Sequence, residues 1–245
     1  MQSLTDDPKF DQVMALYSCA IMEVETKFNV LNTQFIATKS YNPIDTIKTR
    51  LKSVESIEEK LARRDLPVTL ESMRKNLFDV AGIRVICPFE EDIYAVADFL
   101  LEQDDVFLLE RKDYIKRPKS NGYRSLHLLI ETPVFVPEGK TMVRVEVQLR
   151  TIAMELWAEL EHRLRYKQGL DPDLAESLAV ELRDCADDCA SLDARMGSAH
   201  RKIDAIRTFV EAEKKEKAKA KEKEKEKAKA KEKSKDKDKS KNSKN

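Results

Sequence analysis

The chain has 245 residues, enough for one large domain or two small ones, and it carries no formal net charge at pH 7. It contains no apolar run close to the roughly 20 residues that a bilayer span requires, no signal-peptide pattern and no Cys-x-x-Cys motif. We therefore expect a cytoplasmic protein without a membrane segment. The neutral average hides an asymmetry, because residues 214–245 hold 16 Lys and 7 acidic residues whereas residues 1–213 hold 29 basic and 38 acidic residues. Clusters of Arg and Lys within the acidic body are candidate anion sites.

The first 40 residues show the apolar period of a long amphipathic helix. Apolar side chains recur at steps of three and four between residues 10 and 35. This spacing predicts a helix that ends near Thr38, before the break at Tyr41-Asn42-Pro43. Residues 1–40 are accordingly assigned to an N-terminal helix.

A short extended segment, residues 49–53, leads into a helix predicted from Val54 to Arg63 with Ser53 as its N-cap. Four basic residues lie on this stretch: Arg50, Lys52, Lys60 and Arg63. Recognition of a polyphosphate needs several such donors, since each phosphate oxygen takes a charge-assisted hydrogen bond. A solvated basic face is an equally good interpretation of the same pattern.

Residues 69–150 alternate between helical and strand-like segments. The predicted elements are helices at residues 69–77 and 90–103 and strands at residues 80–89, 106–110, 126–132 and 142–149. A turn at Glu138-Gly139 would join the last two strands. Helices that alternate with strands argue for a sheet with helices packed against it.

Two of these strands each carry one carboxylate among basic residues. Asp79 stands directly before the strand that contains Arg84, and Glu146 shares one face of the strand 142–150 with Gln148. Two carboxylates that share a hard divalent cation, surrounded by Arg and Lys, can hold and polarise a polyphosphate. The alternatives are a turn or cap role for Asp79 and an ordinary half-exposed strand around Glu146.

A basic loop with aromatic residues runs from Lys112 to Arg124. Tyr114 and Tyr123 stand there among five basic residues, one of which is Lys119. An aromatic ring beside cations suits a nucleobase stacked above its phosphates, although loop tyrosines often pack only on the surface. Because the chain has no P-loop or dinucleotide-binding glycine motif, the phosphates must be held by side chains.

His127 lies on the strand that follows this loop. If the strand 125–131 pairs with the strand 142–150, the imidazole can lie beside Glu146 or Gln148. A histidine in that place either is a hydrogen-bonded structural residue or works as an acid or base in catalysis.

From Thr151 onward the sequence is helical again, with a break near Gly169 and Pro172. Apolar residues then follow a heptad-like spacing at Leu182, Cys185, Cys189, Leu192, Met196, Ala199, Ile203, Ile206 and Val210. We call this set the apolar seam and expect it either to pack on the N-terminal helix of the same chain or to pair subunits. The two cysteines would face the core instead of binding a metal ion. Residues 169–213 are assigned to a helical oligomerisation region.

The last segment, residues 214–245, is low in complexity and has no apolar stripe. Its composition predicts a disordered or frayed-helix tail that keeps the protein in solution. Contact of its lysines with RNA or another anionic surface is the alternative.

Five motifs occur in order between residues 40 and 167. They are Thr49-Arg50-Leu51-Lys52-Ser53 with Glu55-Ser56-Ile57 and Lys60, Asp79-Val80-Ala81-Gly82-Ile83-Arg84, Ser120 to His127, Glu146-Val147-Gln148-Leu149-Arg150-Thr151, and Trp157 with Glu161-His162. Together they resemble the synthetase domain of RelA/SpoT-type enzymes, most closely the small alarmone synthetases that make (p)ppGpp. The resemblance implies a catalytic domain at residues 41–168 with an α+β fold, in which a mixed sheet is flanked by helices as in nucleotidyltransferases.

The resemblance also implies a reaction, the transfer of the β,γ-pyrophosphate of ATP to the 3′-hydroxyl of GDP or GTP. ATP would be held by Arg50, Lys52, Ser56, Lys60 and Arg84, Mg²⁺ by Asp79 and Glu146, and the guanine nucleotide by Lys112, Lys119, Tyr123, His127 and Gln148. Within the last group, Tyr123 would stack on guanine and the two lysines would meet phosphates. Glu146 would also take the proton from the attacking hydroxyl.

The chain departs from the family pattern at Glu155. Members of the family commonly have Asn or another polar residue at this position, which is linked to guanine recognition, so the choice among GMP, GDP and GTP is open. With only three histidines and no His-Asp pair, the chain would make the alarmone and not degrade it. The family also suggests a homotetramer. A regulatory protein that keeps the fold and holds RNA through its tail and basic loop is the alternative function.

Overall fold

The computed structural model describes residues 3–38, 41–165 and 172–242. After a 3-10 turn at Leu4–Asp6, the elements are α1 (Phe10–Thr38), β1 (Thr46–Leu51), α2 (Val54–Ala62), α3 (Leu70–Asn76), β2 (Ala81–Cys87), α4 (Glu90–Leu101), β3 (Phe107–Asp113), β4 (Leu126–Val136), β5 (Gly139–Thr151), α5 (Ile152–Arg165) and α6 (Pro172–Asn242). The chain divides into two compact units, residues 1–197 and residues 198–245. None of the described helices is both long and apolar enough to cross a membrane.

The described strands form a five-stranded sheet in the order β1-β2-β5-β4-β3. β2 and β5 are parallel, and the remaining neighbours are antiparallel. Parallel strands need a long crossover, which here contains α4, β3 and β4, whereas β4 and β5 are joined by a tight turn at Glu138 as predicted. This mixed sheet with flanking helices confirms the predicted α+β fold.

One face of the sheet is apolar and is covered by α1 and α4. Alternation along β5 puts Val145 and Val147 on this face, and both are fully buried. From α1, the side chains of Val24 and Phe28 belong to the same buried cluster. The apolar residues that recur at steps of three and four along α1 therefore form the stripe of this helix that faces the sheet. The opposite face of the sheet is left for polar side chains.

For the tail, the sequence predicted either a disordered segment or a frayed helix, and the described part of the tail is helical. α6 continues through it, and its backbone is helical as far as Asn242. Lys, Glu and Ala are strong helix formers, and pairs such as Glu213 and Lys217, 3.5 Å apart, add attraction between successive turns. Pro172 begins α6 after the predicted break, while Gly169 lies outside the described residues. Contact of the tail with RNA stays a prediction.

The apolar seam is largely exposed. Leu192 and Met196 are 50% and 54% exposed in the first unit, and Ile203 and Ile206 are 56% and 65% exposed in the second. Within the first unit, the exposure of Leu192 and Met196 shows that this part of the seam does not pack on α1.

The prediction that both seam cysteines face the core was wrong. Cys185 is exposed and Cys189 is only partly buried. The buried position of this part of α6 is Ala186, because the helix packs on the rest of the first unit through the side that carries this residue. A heptad-like spacing shows that apolar residues share one side of a helix, but it does not show which side meets the core.

Phe28→Ala should lower the free energy of unfolding by about 3–5 kcal/mol, because Phe28 has no exposed surface and its removal leaves a cavity between α1 and the sheet. Met22→Ala on the same helix is the control, since Met22 is 63% exposed and its loss should cost under about 1 kcal/mol. Urea unfolding followed by circular dichroism measures both. Equal losses would show that α1 does not supply core packing.

Candidate active site

Two rows of paired residues cross the polar face of the sheet. The first row runs through Lys48, Arg84, Gln148, His127 and Lys112. The second row runs through Arg50, Gly82, Glu146, Leu129 and Glu110. Residues opposite each other in a sheet point to the same side, so both rows project from the face that α1 and α4 leave open. Strand pairing thus brings candidate residues that lie up to 100 positions apart in the sequence, from Lys48 to Gln148, together on one face of the sheet.

Two cavities open on this face, and both are lined by Asp79 and Glu146. The β1-side cavity has a volume of about 390 Å³, and its basic lining residues are Lys48, Arg50, Lys52 and Arg84. The β3-side cavity has a volume of about 160 Å³, and its basic and imidazole lining residues are Lys60, Arg64, Lys112 and His127. The two carboxylates therefore lie where one basic cavity borders the other.

Asp79 lies just before β2 and is held by two lysines. Its Oδ2 accepts hydrogen bonds from Lys52 Nζ at 2.7 Å and from Lys60 Nζ at 2.6 Å. Burial disfavours the charged carboxylate, but the hydrogen bonds and charges of the lysines outweigh burial and lower the pKa of Asp79. Its Oδ1 is buried without a hydrogen-bond partner. An ionised carboxylate with one unpartnered oxygen is suited to bind a cation.

Glu146 is fixed by its neighbours on the polar face. Its Oε2 accepts a hydrogen bond from Gln148 Nε2 at 2.9 Å, and its Oε1 lies 3.3 Å from His127 Nδ1. Burial opposes ionisation, yet the interactions with His127 and Gln148 lower the pKa of Glu146. The charge of Asp79 acts against this shift, so the two carboxylates are within electrostatic reach of each other. A shared cation would relieve that repulsion.

His127 bridges Glu146 and Tyr123. Its Nε2 lies 2.8 Å from the Tyr123 hydroxyl, and that hydroxyl accepts a hydrogen bond from Arg150 at 2.6 Å. The proton of the hydroxyl is thereby directed to His127 Nε2, which leaves Nδ1–H to donate to Glu146, and we assign the tautomer on this basis. The imidazole thus orients Glu146, while its predicted role as an acid or base in catalysis stays a prediction.

Glu155 on α5 is buried and holds three basic side chains. Its Oε1 accepts hydrogen bonds from Lys48 at 2.8 Å and from Arg84 at 2.9 Å, and its Oε2 accepts one from Arg150 at 2.9 Å. Burial opposes ionisation, but these basic partners lower the pKa of Glu155. The family resemblance links this position to guanine recognition, which stays a prediction, and in the structure the Glu155 carboxylate fixes Arg84 beside the β1-side cavity.

Two cationic side chains lie over the ring of Tyr123, one from the loop and one from β5. The ring centroid lies 4.7 Å from Lys119 Nζ and 5.0 Å from Arg150 Cζ, and Lys119 Nζ also lies 4.6 Å from the Tyr114 ring. A ring face that attracts cations also stacks with a nucleobase. Arg150 is buried whereas Lys119 is exposed on a flexible stem, so a base that stacks on Tyr123 would displace Lys119.

Three of the predicted site residues line neither of the two cavities. Ser56 belongs to the first turn of α2, where its backbone N–H donates to Ser53 Oγ at 3.3 Å. Lys119 and Tyr123 lie on the loop between β3 and β4, next to the Tyr114 ring. The structure therefore brings the predicted metal residues and most of the predicted phosphate residues together at the cavities, whereas Ser56, Lys119 and the predicted base-stacking Tyr123 lie outside the cavity linings.

Sequence reasoning missed several residues that line the cavities. They are Asn76, Phe78, Glu110 and Glu159, together with Arg64. Glu110 could have been found, because it lies two residues before Lys112 on the same strand face, 2.8 Å from its ammonium group, and this hydrogen bond raises the pKa of Lys112. Arg64 carries no local signal, since it is placed by a hydrogen bond to the Asn76 carbonyl across two helices.

The carboxylate pair fits a Mg²⁺ ion. Mg²⁺ is usually bound by one or two carboxylates together with water and substrate phosphates, and not by a cage of protein ligands. Asp79 and Glu146 supply such a pair, and the unpartnered Asp79 Oδ1 supplies a free lone pair. Phosphate groups in either cavity would reach a cation held by Asp79 and Glu146, because these two residues line both cavities.

Comparison with known proteins agrees with this geometry. Residues 49–171 match the family described as "Region found in RelA / SpoT proteins". The chain is similar to the GTP pyrophosphokinase YwaC of Bacillus subtilis (strain 168), with 40% identity over 191 residues, which make up 78% of this chain and 90% of that protein.

Crystal structures of small alarmone synthetase 1 from Bacillus subtilis have the same fold. The structure bound to its product pppGpp has a TM-score of 0.73 and 32% identity, over 80% of this chain and 99% of that chain. The structure bound to AMPCPP has a TM-score of 0.66 and 28% identity, over 80% of this chain and 98% of that chain. The five ordered motifs, the mixed sheet and these similarities lead to one conclusion: the chain belongs to the RelA/SpoT family, among its small alarmone synthetases.

Proposed function

We propose that this chain transfers the β,γ-pyrophosphate of ATP to the 3′-hydroxyl of GDP or GTP, with Mg²⁺ as its cofactor. The observation that carries the proposal is the position of Asp79 and Glu146 at the border of two basic cavities. Two polyphosphate nucleotides can lie one in each cavity and meet at the carboxylates. The similar proteins support this assignment, since one is named a GTP pyrophosphokinase and the two crystal structures hold pppGpp and AMPCPP.

ATP is assigned to the β1-side cavity. Arg50 and Arg84 project from adjacent strands, and Gly82 between them has no side chain to fill the floor. Guanidinium groups stack on flat rings, so this space suits adenine. Lys52 and Lys60 would then leave Asp79 to meet the polyphosphate. Ser56 lies in the first turn of α2, where a phosphate oxygen is attracted by the backbone N–H groups.

The guanine nucleotide is assigned to the β3 side of the carboxylates. Tyr123 would stack on the base, and Lys112 and Lys119 would bind phosphates. His127 lines the β3-side cavity and Gln148 lines the β1-side cavity, and both hold the Glu146 carboxylate in one orientation.

The reaction joins the 3′-oxygen to the β-phosphorus of ATP and breaks the bond from that phosphorus to the oxygen shared with the α-phosphate. AMP leaves with this oxygen. Glu146 is ionised and accepts the proton of the attacking hydroxyl, while Lys52 and Lys60 offset the charge on the transferred group. Mg²⁺, when bound, supplies further neutralisation of the phosphate oxygens. The protein thus works by positioning and charge stabilisation.

Asp79→Asn and Glu146→Gln should each lower kcat by about 10³-fold or more, because each removes a negative charge from the shared cation position. The assay follows AMP release and formation of a more highly phosphorylated guanosine from ATP, GDP and Mg²⁺, with GMP, GTP and adenine nucleotides as alternative acceptors. Asp98→Asn is the control, because this carboxylate is 64% exposed and lies outside both cavities. An unmodified chain that forms no such guanosine product would refute the proposal.

Tyr123→Ala should raise KM for GDP about tenfold or more while KM for ATP changes little, because stacking of a base on an aromatic ring contributes about 1–3 kcal/mol. Tyr123→Phe keeps the ring but removes the hydroxyl that fixes His127, so it should lower kcat and leave KM for GDP close to that of the unmodified chain. Steady-state kinetics with each substrate varied in turn distinguishes the two effects. An unchanged KM for GDP in Tyr123→Ala would count against stacking.

We also propose that the apolar seam of α6 pairs subunits into a homotetramer. Met196→Lys and Ile203→Lys should each reduce the mass of the assembly in solution, because they place a charge on the exposed stripe. Ala194→Lys is the control, since residue 194 is exposed but lies off the seam. Light scattering after size-exclusion chromatography gives the mass. If the unmodified chain is a monomer in solution, the homotetramer proposal is wrong, and the proposed reaction is unaffected.

A further inference from the structure

The loop that carries Tyr123 is packed against α6. Gly122 has a φ of 89°, and a Cβ placed on it would lie 2.6 Å from the Cβ of Ala186 and 3.7 Å from the Cα of Arg183. The Ala186 side chain is 3% exposed. Loop backbone and helix are therefore in direct contact at this point, and neither position has room for a larger side chain.

The other neighbour of Tyr123 is tied to the same helix. Arg124 Nη2 donates to Asp187 Oδ1 at 3.1 Å, while its Nη1 reaches the Ile115 carbonyl at 3.4 Å. Arg124 thus links the beginning of the loop, the end of the loop and α6. The two residues that flank Tyr123 contact successive residues of α6, Ala186 and Asp187.

This part of α6 is itself held at both ends, by α5 at one end and by the last residue of β5 at the other. Trp157 Nε1 on α5 donates to the Leu182 carbonyl at 2.7 Å. Thr151 Oγ1 at the end of β5 donates to Asp193 Oδ2 at 2.5 Å. Residues 182–193 therefore form a short rigid bridge that spans from α5 to the end of β5 and passes over the loop.

We propose that residues 182–193 of α6 are a positioning element for the guanine-nucleotide site. The inference rests on the proposed function, because it assumes that Tyr123 stacks on guanine. The Tyr123 hydroxyl is held from the sheet by His127 and Arg150, and the Tyr123 backbone is held by α6 through Gly122 and Arg124. A helix outside the sheet thereby determines where the stacking ring lies relative to Glu146.

Ala186→Leu should raise KM for GDP about tenfold and leave KM for ATP within twofold, because a larger side chain at this contact displaces Gly122 and the ring beside it. Ala194→Leu on the exposed side of the same helix is the matched control and should change neither constant. The split between the two KM values is the decisive readout, since a general loss of structure would change both together.

A charge reversal at Asp187 tests the same contact at an exposed position. Asp187→Arg should raise KM for GDP threefold to fivefold, within the range of an exposed ion pair, whereas Asp187→Glu keeps the carboxylate and should leave KM for GDP close to that of the unmodified chain. If Ala186→Leu does not fold, this pair of variants carries the test, because Asp187 is 67% exposed. Unchanged KM for GDP in Asp187→Arg, and in Ala186→Leu if it folds, would overturn the inference, and so would equal shifts in both KM values. An inactive unmodified chain would instead refute the proposed function.

Discussion

The parallel pairing of β2 with β5 is the constraint on which the site depends. It sets Gly82 opposite Glu146 and Arg84 opposite Gln148, and Asp79 lies two residues before the start of β2. The same pairing makes β2 and β5 central strands, with β1 on one side and β4 and β3 on the other. A slip of one residue would turn Glu146 to the apolar face under α1. The burial of Val145 and Val147 therefore fixes the register, and the register fixes the site.

Each buried carboxylate of the site is surrounded by hydrogen-bond donors, which offset the free energy lost when its charge is removed from water. Asp79 has two lysines, Glu146 has His127 and Gln148, and Glu155 has three basic partners. In each case burial opposes ionisation and the partners outweigh it. The three carboxylates differ in whether both of their oxygens accept hydrogen bonds. Glu155 has both oxygens engaged and serves to hold Arg84, whereas Asp79 keeps one oxygen unpartnered for a ligand.

Much of this arrangement could be predicted from local sequence, because it follows from periodicity. The alternation of β5 placed Glu146 and Gln148 on one face, and the three-four period predicted α1 to within a residue of its end at Thr38. The convergence of Asp79 with Glu146 depended on the pairing of two distant strands, which no local pattern encodes. Recognition of the ordered motifs supplied that step.

What sequence reasoning missed depends on tertiary packing. Glu155 is a helical residue with no periodic signal, and only the fold shows that its carboxylate meets Lys48 and Arg84. The seam cysteines show the same limit, because their spacing placed them on one side of α6 but could not say that Ala186 would be the buried residue. In the tail, composition left a disordered segment and a frayed helix as alternatives, and the helix agrees with the propensities of Lys, Glu and Ala.

α6 presents two different sides within the first unit, and their angular separation explains why one helix can serve both. At about 100° per residue, Leu182 and Asp193 project within about 40° of Ala186, so a single side of the helix meets α5, the loop and β5. Leu192 and Met196 project about 120° and about 80° away from Ala186 and are exposed. The surface proposed to pair subunits and the surface proposed to place Tyr123 are thus parts of one helix. A shift of this stretch of helix about its axis would move the backbone against which Gly122 is packed, and with it the ring that is proposed to stack on guanine.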